Sequence, residues 1–226
     1  GISGEAIAAS LGISRVAVSK HVAALRALGY EILSAPRAGY LLAHAPDVCI
    51  PEEVGPRLRD SLWVACDGGP ELASTNDGAK RLARAGAAEG TAVVAARQTG
   101  GRGRLGRTWE SPAGGAYVSA VLRPPLAPAQ MAPLSLVLAL GVARALEPFG
   151  ADVALKWPND LERDGRKLGG LLLEMAAEAD RTEWVIVGCG VNVARPGFPG
   201  SAWVREVAPE ALVASVAAAV LDGMAG

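Results

Sequence analysis

Gly101-Arg102-Gly103-Arg104-Leu105-Gly106-Arg107 is a heptapeptide with three glycines and three arginines, flanked by Gln98 and Trp109. Glycine has no Cβ atom, so the backbone can approach a ligand closely at these positions. Arginine stays ionised and presents a planar fork of N–H donors that matches carboxylate and phosphate groups. Residues 91–97 are mostly apolar and predict a strand. We therefore interpret the heptapeptide as an anion-binding loop that leaves the end of a strand.

Two other interpretations of the heptapeptide are weaker. A P-loop would close with Gly-Lys-Ser or Gly-Lys-Thr and lead into a helix, and this sequence does neither. Gly/Arg-rich segments can also be disordered and bind RNA non-specifically, but such segments are repetitive and poor in hydrophobic residues. Here the motif occurs once, between apolar strands, and this setting favours a loop that binds phosphate or carboxylate.

The composition indicates a globular protein with a sizeable core. Of the 226 residues, 50% are hydrophobic and 20% are charged, and the formal net charge is −1. This balance excludes a uniformly basic nucleic-acid coat, so any contact with nucleic acid must be local. The longest apolar segment, residues 131–146, contains Arg144 and is too short to cross a bilayer, so no membrane association is expected.

Cysteine usage predicts a reducing compartment. Cys49, Cys66 and Cys189 are odd in number and lack CxxC or Cys/His spacing, so they support neither a disulfide framework nor a zinc site. No motif elsewhere in the sequence indicates a directly bound metal either. The N-terminus has no signal-peptide pattern, and these features together predict a cytoplasmic protein.

Residues 1–45 have the pattern of a winged helix-turn-helix domain. A helix at residues 4–11 ends at Gly12, and Ser14 is expected to cap a second helix. A hairpin with its turn at residues 35–39 follows. Because the first helix begins almost at the first residue, the start of this head is expected to be trimmed.

The solvent side of the second helix predicts contact with the major groove of DNA. It carries short polar and basic side chains: Ser14, Arg15, Ser19, Lys20 and His21. The alternative is that the head only packs or dimerises, because this basic set is modest. A single histidine is a weak metal site, so His21 is a better candidate for a phosphate or groove contact.

The remainder of the chain predicts a linker at residues 46–60 and a second domain at residues 61–226. Predicted strands lie at residues 62–65, 91–97, 116–122, 152–157 and 183–193. Predicted helices lie at residues 79–84, 128–146 and 208–224, and Asp164-Gly165 is a hairpin turn. Many strands with hairpins and no strict βαβ repeat argue for an α+β domain with a mixed or antiparallel sheet.

Finer patterns add four expectations. The strand at residues 116–122 alternates, which predicts one buried face. The helix at residues 128–146 is apolar almost all round, which predicts burial against a sheet. In the strand at residues 183–193, glycines predict close approach of another group. The cluster Ser74-Thr75-Asn76 can cap the following helix or offer hydrogen bonds to a polar ligand.

Five motifs occur in the order and spacing of biotin protein ligases across residues 70–195. They are Ser74-Thr75-Asn76, Gln98 with residues 101–107 and Trp109, Lys156-Trp157-Pro158-Asn159-Asp160, Lys167-Leu168-Gly169-Gly170, and residues 188–192. The chain therefore resembles the biotin protein ligase family, and its head resembles the bifunctional branch that also acts as biotin operon repressor. The resemblance implies a catalytic domain like those of biotin and lipoate ligases and class II aminoacyl-tRNA synthetases.

The resemblance implies a two-step reaction. Biotin and ATP form biotinyl-5′-adenylate, and a lysine of the biotin carboxyl carrier protein of acetyl-CoA carboxylase then receives the biotin as an amide. Because the carboxylate of biotin is already ionised at neutral pH, the first step needs positive charge rather than a general base. The resemblance assigns that charge to Arg102, Arg104 and Lys167, together with Mg²⁺.

The resemblance also implies which residues bind. Biotin contacts are assigned to Ser74, Thr75, Asn76, Gln98, Arg102, Gly103, Arg104 and Lys167. Nucleotide contacts are assigned to Arg104, Arg107, Trp109, Lys156, Asn159 and Asn192. Asp160 and Lys156 are candidates for guiding the acceptor lysine. Gly103 and Arg104 would fold over the adenylate and exclude water.

The chain departs from the family pattern at its C-terminal end, where the SH3-like barrel that usually follows the catalytic domain is expected to be absent. Two other functions stay open: a biotin-sensing repressor without ligase activity, and a lipoate protein ligase. The two arginines and the lysine favour an enzyme over a sensor, and the complete loop motif favours biotin over lipoate. As a repressor, the chain is expected to form a homodimer when the adenylate is bound and to bind operator DNA.

Overall fold

The computed structural model describes residues 1–35, 38–131, 133–178 and 181–226. Within these residues the chain divides into two compact units, Gly1–Asp47 and Val48–Gly226. The predicted boundary at residue 45 therefore lies two residues early. Each unit has its own hydrophobic core.

The first unit contains α1 (Gly4–Leu11), α2 (Arg15–Ala27), β1 (Glu31–Ala35) and β2 (Gly39–His44). Ser14 caps α2, because its side chain accepts a hydrogen bond from the backbone N–H of Ala17. The two helices bury Ala8, Val18 and Val22 against each other. The two strands pair antiparallel, so the predicted helix-turn-helix with a hairpin is confirmed. The predicted turn at residues 35–39 lies partly outside the described residues.

The second unit contains a mixed sheet of seven strands in the order β3-β4-β5-β9-β8-β7-β6. The strands are β3 (Ala65–Gly69), β4 (Thr91–Ala95), β5 (Gly115–Leu122), β6 (Ala154–Lys156), β7 (Asp160–Arg163), β8 (Arg166–Glu178) and β9 (Arg181–Asn192). The helices are α3 (Pro51–Val54), α4 (Thr75–Arg84), α5 (Leu134–Leu146) and α6 (Val213–Ala225). β3 and β4 are parallel, and the other neighbouring strands are antiparallel. The α+β class with a mixed sheet is confirmed.

Helices cover both faces of this sheet. Alternate residues of β4 contribute to two different clusters: Val94 packs with α5 and α6, whereas Val93 packs with α4. Because successive side chains of a strand point to opposite faces, α4 lies on the face opposite α5 and α6. All of β5 is consequently buried, and the prediction that only one of its faces is buried was wrong.

Residues 48–57 belong to the second unit rather than to a flexible linker. Helix α3 and a short 3₁₀ helix, Gly55–Arg57, occupy the middle of the segment predicted at residues 46–60. Cys49, Ile50 and Val54 are fully buried. Prolines indicated a break in regular structure, but these apolar side chains complete the core of the second unit.

Several predicted boundaries also differ. The predicted strand at residues 62–65 does not form, and β3 begins only at Ala65. A 3₁₀ helix, Pro128–Gln130, precedes α5, which starts at Leu134 after Pro133. Helix α5 packs on α6 and on the sheet, as predicted, but with one side only, and it leaves Val137 61% exposed. Helix α6 starts at Val213, later than predicted.

The contact between α5 and α6 depends on glycine at position 141. A Cβ atom added there would overlap the backbone carbonyl of Gly223 on α6. We expect Gly141→Ala to lower the free energy of unfolding by about 1–3 kcal/mol, because the two helices must separate. Urea denaturation measures this loss, and Gly197→Ala is the control because nothing lies within 4 Å of its added Cβ. Equal stability of the two variants would contradict the prediction.

Candidate functional site

A cavity of about 530 Å³ lies where the start of α4, the arginine loop at residues 101–107 and strands β8 and β9 meet. Its wall contains these residues predicted from the sequence: Ser74, Thr75, Asn76, Gln98, Arg102, Gly103, Arg104, Arg107, Trp109, Lys156, Asn159, Asp160 and Lys167. These residues come from segments far apart in the chain. The fold therefore brings together the predicted ligand contacts of the second domain, with one exception, Asn192.

The start of α4 supplies one polar wall of the cavity. Ser74 caps the helix, and its side chain accepts from the N–H of Asp77. Gln98 Oε1 accepts from the backbone N–H of Thr75 at 2.7 Å and from its hydroxyl at 3.1 Å. Ser119 Oγ donates to Asn76 Oδ1 at 2.7 Å and lies 2.8 Å from Thr75 Oγ1. One hydrogen-bonded network therefore orients these polar side chains before any ligand arrives.

Two glycines of β9 make room for side chains of the cavity. A Cβ atom on Gly188 would overlap Asn76 Oδ1, and a Cβ atom on Gly190 would lie 2.6 Å from Trp109 Nε1. The predicted close approach at these positions is confirmed. Trp109 Nε1 is buried and finds no hydrogen-bond partner among the described residues.

The arginine loop is held by its own backbone. The N–H of Gly103 donates to the carbonyl of Arg107 at 2.7 Å, and the N–H of Trp109 donates to the carbonyl of Gly101 at 3.0 Å. At the tip, Leu105 is 89% exposed and has φ +57°. The side chains of Arg104 and Arg107 are also exposed. The loop therefore presents two arginines at the cavity mouth from a compact turn.

Arg102 is paired with acidic side chains. It donates two hydrogen bonds to Asp77, at 2.6 and 2.7 Å, and its Nη2 lies 3.5 Å from Glu174 Oε2. Lys80 Nζ lies 2.9 Å from both carboxylates. The hydrogen bond from Arg102 holds the pKa of Asp77 well below its usual value. The sequence prediction treated Arg102 as a cation for a ligand, and the fold gives it a carboxylate partner as well.

Glu174 joins this charge cluster to the polar network. Burial alone would raise its pKa, but hydrogen bonds from Lys80 and Asn76 outweigh burial and hold the pKa below its usual value. Asn76 Nδ2 donates to Glu174 Oε2 at 2.7 Å. The cluster and the network are therefore joined at Asn76, which lines the cavity.

Lys167 extends from the start of β8 towards the same cavity. Its Nζ lies 2.8 Å from Asp160 Oδ1 and 5.0 Å from the centre of the Trp109 ring. The lysine therefore has a carboxylate on one side and an aromatic face on the other, an arrangement that fixes a cation. The sequence prediction treated Lys167 as a cation for a ligand, and the structure places the carboxylate of Asp160 beside it.

The remaining predicted contacts divide into two groups. Lys156 and Asn159 line the cavity. Lys156 pairs with Glu162 at 2.6 Å, and Asn159 Nδ2 donates to the carbonyl of Leu171 at 2.6 Å. Asn192 is buried, and its Nδ2 donates to the backbone carbonyls of Lys167 and Ala202. Since those bonds turn it away from the cavity wall, the structure does not bring Asn192 to the nucleotide position predicted for it.

Sequence reasoning missed the acidic and hydroxyl partners of the site. Asp77, Glu174 and Glu162 each lie beside a predicted cation: Arg102 for the first two and Lys156 for the third. Ser111 bonds Gln98, and Ser119 bonds Thr75 and Asn76. Asp77 directly follows the Ser-Thr-Asn cluster, and that adjacency was a usable signal. Glu174 and Ser119 lie within apolar strands, where no local pattern distinguishes them from core polar residues.

The predicted DNA contacts are all on the surface of the first unit. Ser14, Arg15, Ser19, Lys20 and His21 are exposed along the start and outer side of α2. Ser14 also caps the helix, which leaves less of its hydroxyl for DNA. This face has the polarity and basic charge that a phosphate or base edge requires.

The chemistry of the cavity is that of anion binding. Three cationic side chains, Arg102, Arg104 and Lys167, line the same cavity as the neutral hydrogen-bonding groups at the start of α4. The described residues contain no group of three or more His, Cys, Asp or Glu side chains placed to hold a metal. They also form no helix long and apolar enough to cross a membrane. The arrangement can bring two anionic groups together and stabilise negative charge that develops between them.

Family models match both units. The model described as "Biotin/lipoate A/B protein ligase family" matches residues 68–192, more than half of the chain. The model described as "HTH domain" matches residues 1–41.

Individual proteins are also similar. "Bifunctional ligase/repressor BirA" of Bacillus subtilis is 42% identical over 199 residues, covering 85% of this chain and 60% of that protein. The protein of the same name in Escherichia coli is 37% identical, covering 85% of this chain and 59% of that protein. The chain thus spans about 60% of the length of these curated relatives.

A solved structure, "Biotin protein ligase from Aquifex aeolicus in complex with biotin and ATP", superposes with a TM-score of 0.58 at 32% identity. The match covers 74% of this chain and 69% of that one. The biotin complex of the Leishmania major biotin protein ligase superposes with a TM-score of 0.58 at 29% identity, covering 70% and 72%.

Proposed function

The chain belongs to the biotin/lipoate A/B protein ligase family, and on that premise we propose that it is a biotin protein ligase. It activates biotin with ATP to biotinyl-5′-adenylate and transfers the biotin to a lysine of a biotin carboxyl carrier protein. The observation that carries this proposal is that one cavity is lined both by neutral hydrogen-bonding side chains and by Arg102, Arg104 and Lys167. The order of the motifs, the similarity to curated proteins and the similarity to solved structures with bound biotin also support the proposal.

The polar wall suits the ureido ring of biotin. Ser74, Thr75 and Gln98 offer hydroxyl, amide and carbonyl groups that can both donate and accept. Asn76 is linked to these residues through its hydrogen bond with Ser119. Because their orientation is set by the network at the start of α4, the ring would be bound without reorganising this wall.

The cationic side supports adenylate formation. Arg102 and Lys167 receive the biotin carboxylate, while Gly103 and Arg104 cover the reacting groups at the cavity mouth. The carboxylate oxygen attacks the α-phosphorus of ATP, and pyrophosphate leaves. The cations reduce repulsion between the two anions and stabilise the charge on the pentavalent phosphorus.

Mg²⁺ enters with ATP in this proposal, as part of the nucleotide substrate. Magnesium in nucleotide sites is commonly held by phosphate oxygens and water with few protein carboxylates. The carboxylates of Asp77 and Asp160 already pair with Arg102 and Lys167. This fits a metal bound mainly by the substrate.

The nucleotide is assigned to Arg104, Arg107, Trp109, Lys156 and Asn159, which share the cavity. Asn192 acts on the nucleotide indirectly, because it fixes the backbone beside Lys167. In the second step the acceptor lysine loses a proton as its nitrogen attacks the acyl carbon, and AMP leaves. Asp160 and Lys156 lie at the cavity wall where they could guide that lysine.

We also propose that the first unit binds operator DNA and that the chain is a biotin-responsive repressor. The exposed polar and basic side of α2 and the two relatives named as bifunctional ligase/repressors support this role. A homodimer formed with the adenylate would present two heads to a palindromic operator. Unchanged sedimentation on addition of biotin and ATP would contradict the proposed dimerisation.

The three free cysteines support a cytoplasmic location.

The decisive experiment is biotin-dependent exchange between ATP and labelled pyrophosphate, with lipoate as the control acid. We expect exchange with biotin and none with lipoate. Exchange with lipoate alone would support the lipoate ligase instead. Binding of biotin by calorimetry without exchange would support a biotin-sensing repressor that does not ligate.

A further inference from the structure

Arg102 is held by two acidic side chains from outside its own loop. Asp77, in the first turn of α4, accepts from both Nη atoms at 2.6 and 2.7 Å. Glu174 of β8 approaches Nη2 at 3.5 Å. A planar guanidinium held at both Nη atoms by one carboxylate has little freedom to rotate. The position of the cation is therefore set by a helix and a strand.

The two acidic residues are fixed in turn. Lys80 bridges Asp77 and Glu174, with 2.9 Å from its Nζ to each carboxylate. Asn76 donates to Glu174 at 2.7 Å. Two cations and two anions leave this cluster without net charge. Its contribution to anion binding is thus the orientation of one guanidinium and not a surplus of positive charge.

The pairing leaves part of the guanidinium available. Arginine has five N–H donors, and Asp77 and Glu174 contact only the two Nη atoms. The Nε edge takes no part in these contacts, and Arg102 lines the cavity. A carboxylate ligand can therefore contact Arg102 while both acidic partners stay in place.

We infer that Asp77 and Glu174 are positioning residues that hold the guanidinium of Arg102 at the cavity wall in the one orientation that meets a substrate carboxylate. The inference rests on the proposed function, which assigns that carboxylate to biotin. The Arg102–Asp77 pair is not explained by folding stability alone. The two side chains are 36% and 45% exposed, and ion pairs this exposed contribute little to the free energy of unfolding. The opposite role, in which Asp77 competes with the substrate for Arg102, predicts the opposite effect on affinity.

The test compares Asp77→Asn and Glu174→Gln in the full chain, with calorimetric Kd values for biotin and for biotinol, its uncharged alcohol analogue. We expect Asp77→Asn to weaken biotin binding about tenfold, equal to the loss of about 1.4 kcal/mol, with a smaller loss for Glu174→Gln because its contact is longer. Biotinol affinity stays unchanged, and Asp77→Glu restores part of the loss. Glu71→Gln is the matched control, since the exposed Glu71–Arg97 pair at 2.7 Å lies outside the cavity wall.

Two results would overturn the inference. Equal weakening of biotin and biotinol would indicate a general structural role, and tighter binding of biotin would indicate competition for Arg102. A second measurement needs no ligand: hydrogen exchange of the Arg102 guanidinium in ¹⁵N-arginine-labelled protein, assigned with Arg102→Lys. Exchange should become faster in Asp77→Asn but not in Glu71→Gln. Equal exchange rates in Asp77→Asn and Glu71→Gln would overturn the inference, whether or not the chain binds biotin or biotinol. Failure to bind either ligand would refute the proposed function instead.

Discussion

Replacement of Lys167 by methionine is expected to lower biotin-dependent pyrophosphate exchange by at least about 100-fold, the cost typical of removing one group that stabilises transition-state charge. Methionine keeps an unbranched side chain of similar length, so the packing against Trp109 is largely preserved. The change removes the cation next to Asp160 and leaves that carboxylate facing the incoming anions. Initial rates of exchange at saturating ATP measure the effect.

Two further variants test whether charge at position 167 is the cause. Lys167→Arg keeps the charge but not the shape, and we expect it to retain more activity than the methionine variant. Lys20→Met is the control, because Lys20 is an exposed lysine of the first unit. An unchanged exchange rate in Lys167→Met, with the melting temperature also unchanged, would show that the lysine has no part in the first step.

Replacement of Gly188 by alanine is expected to weaken biotin binding by about ten- to a hundredfold and to destabilise the second unit by about 1–3 kcal/mol. The added methyl group would overlap Asn76 Oδ1, which bonds Ser119 at 2.7 Å. Displacing Asn76 breaks the connection between Ser119 and Glu174 across the cavity wall. Calorimetry of biotin binding and urea denaturation measure the two effects.

The control for this prediction is Gly69→Ala, also a strand glycine but with nothing within 4 Å of the added Cβ atom. A second change, Asn76→Ser, shortens the side chain that overlaps and should restore stability to the Gly188→Ala variant without restoring affinity. Full affinity in Gly188→Ala alone would show that Asn76 does not organise the biotin wall.

Local signals in the sequence predicted several parts of the structure. The cap at Ser14 forms as expected. The hairpin turn at Asp164-Gly165 forms with positive φ at both residues, +51° and +69°. The composition of the arginine loop and of the segment from Ser74 to Asn76 was sufficient to select residues that the fold then brings to one cavity. Each of these patterns depends on neighbours in the chain, so the sequence contains it directly.

Patterns that depend on distant partners were predicted poorly. Asn192 was assigned to the nucleotide, but two backbone carbonyls from other segments turn it away from the cavity. Residues 48–57 looked like part of a linker because of their prolines, and the burial of Ile50 and Val54 against other elements made them part of the core. The strand β5 alternates, yet helices on both faces bury all of it.

The sequence by itself determined the class of fold, the order of the motifs and the identity of the cations, because propensity, glycine content and ionisation belong to each residue. Only the tertiary structure decided that Asp77 and Glu174 meet at Arg102. Asp77 and Glu174 are 97 positions apart along the chain, and Lys80 brings their carboxylates together at 2.9 Å each. No sequence periodicity predicts that these two distant residues lie close together, because their proximity arises from the packing of α4 against the sheet. The charges of the site are local properties of the chain, and their pairing is a property of the fold.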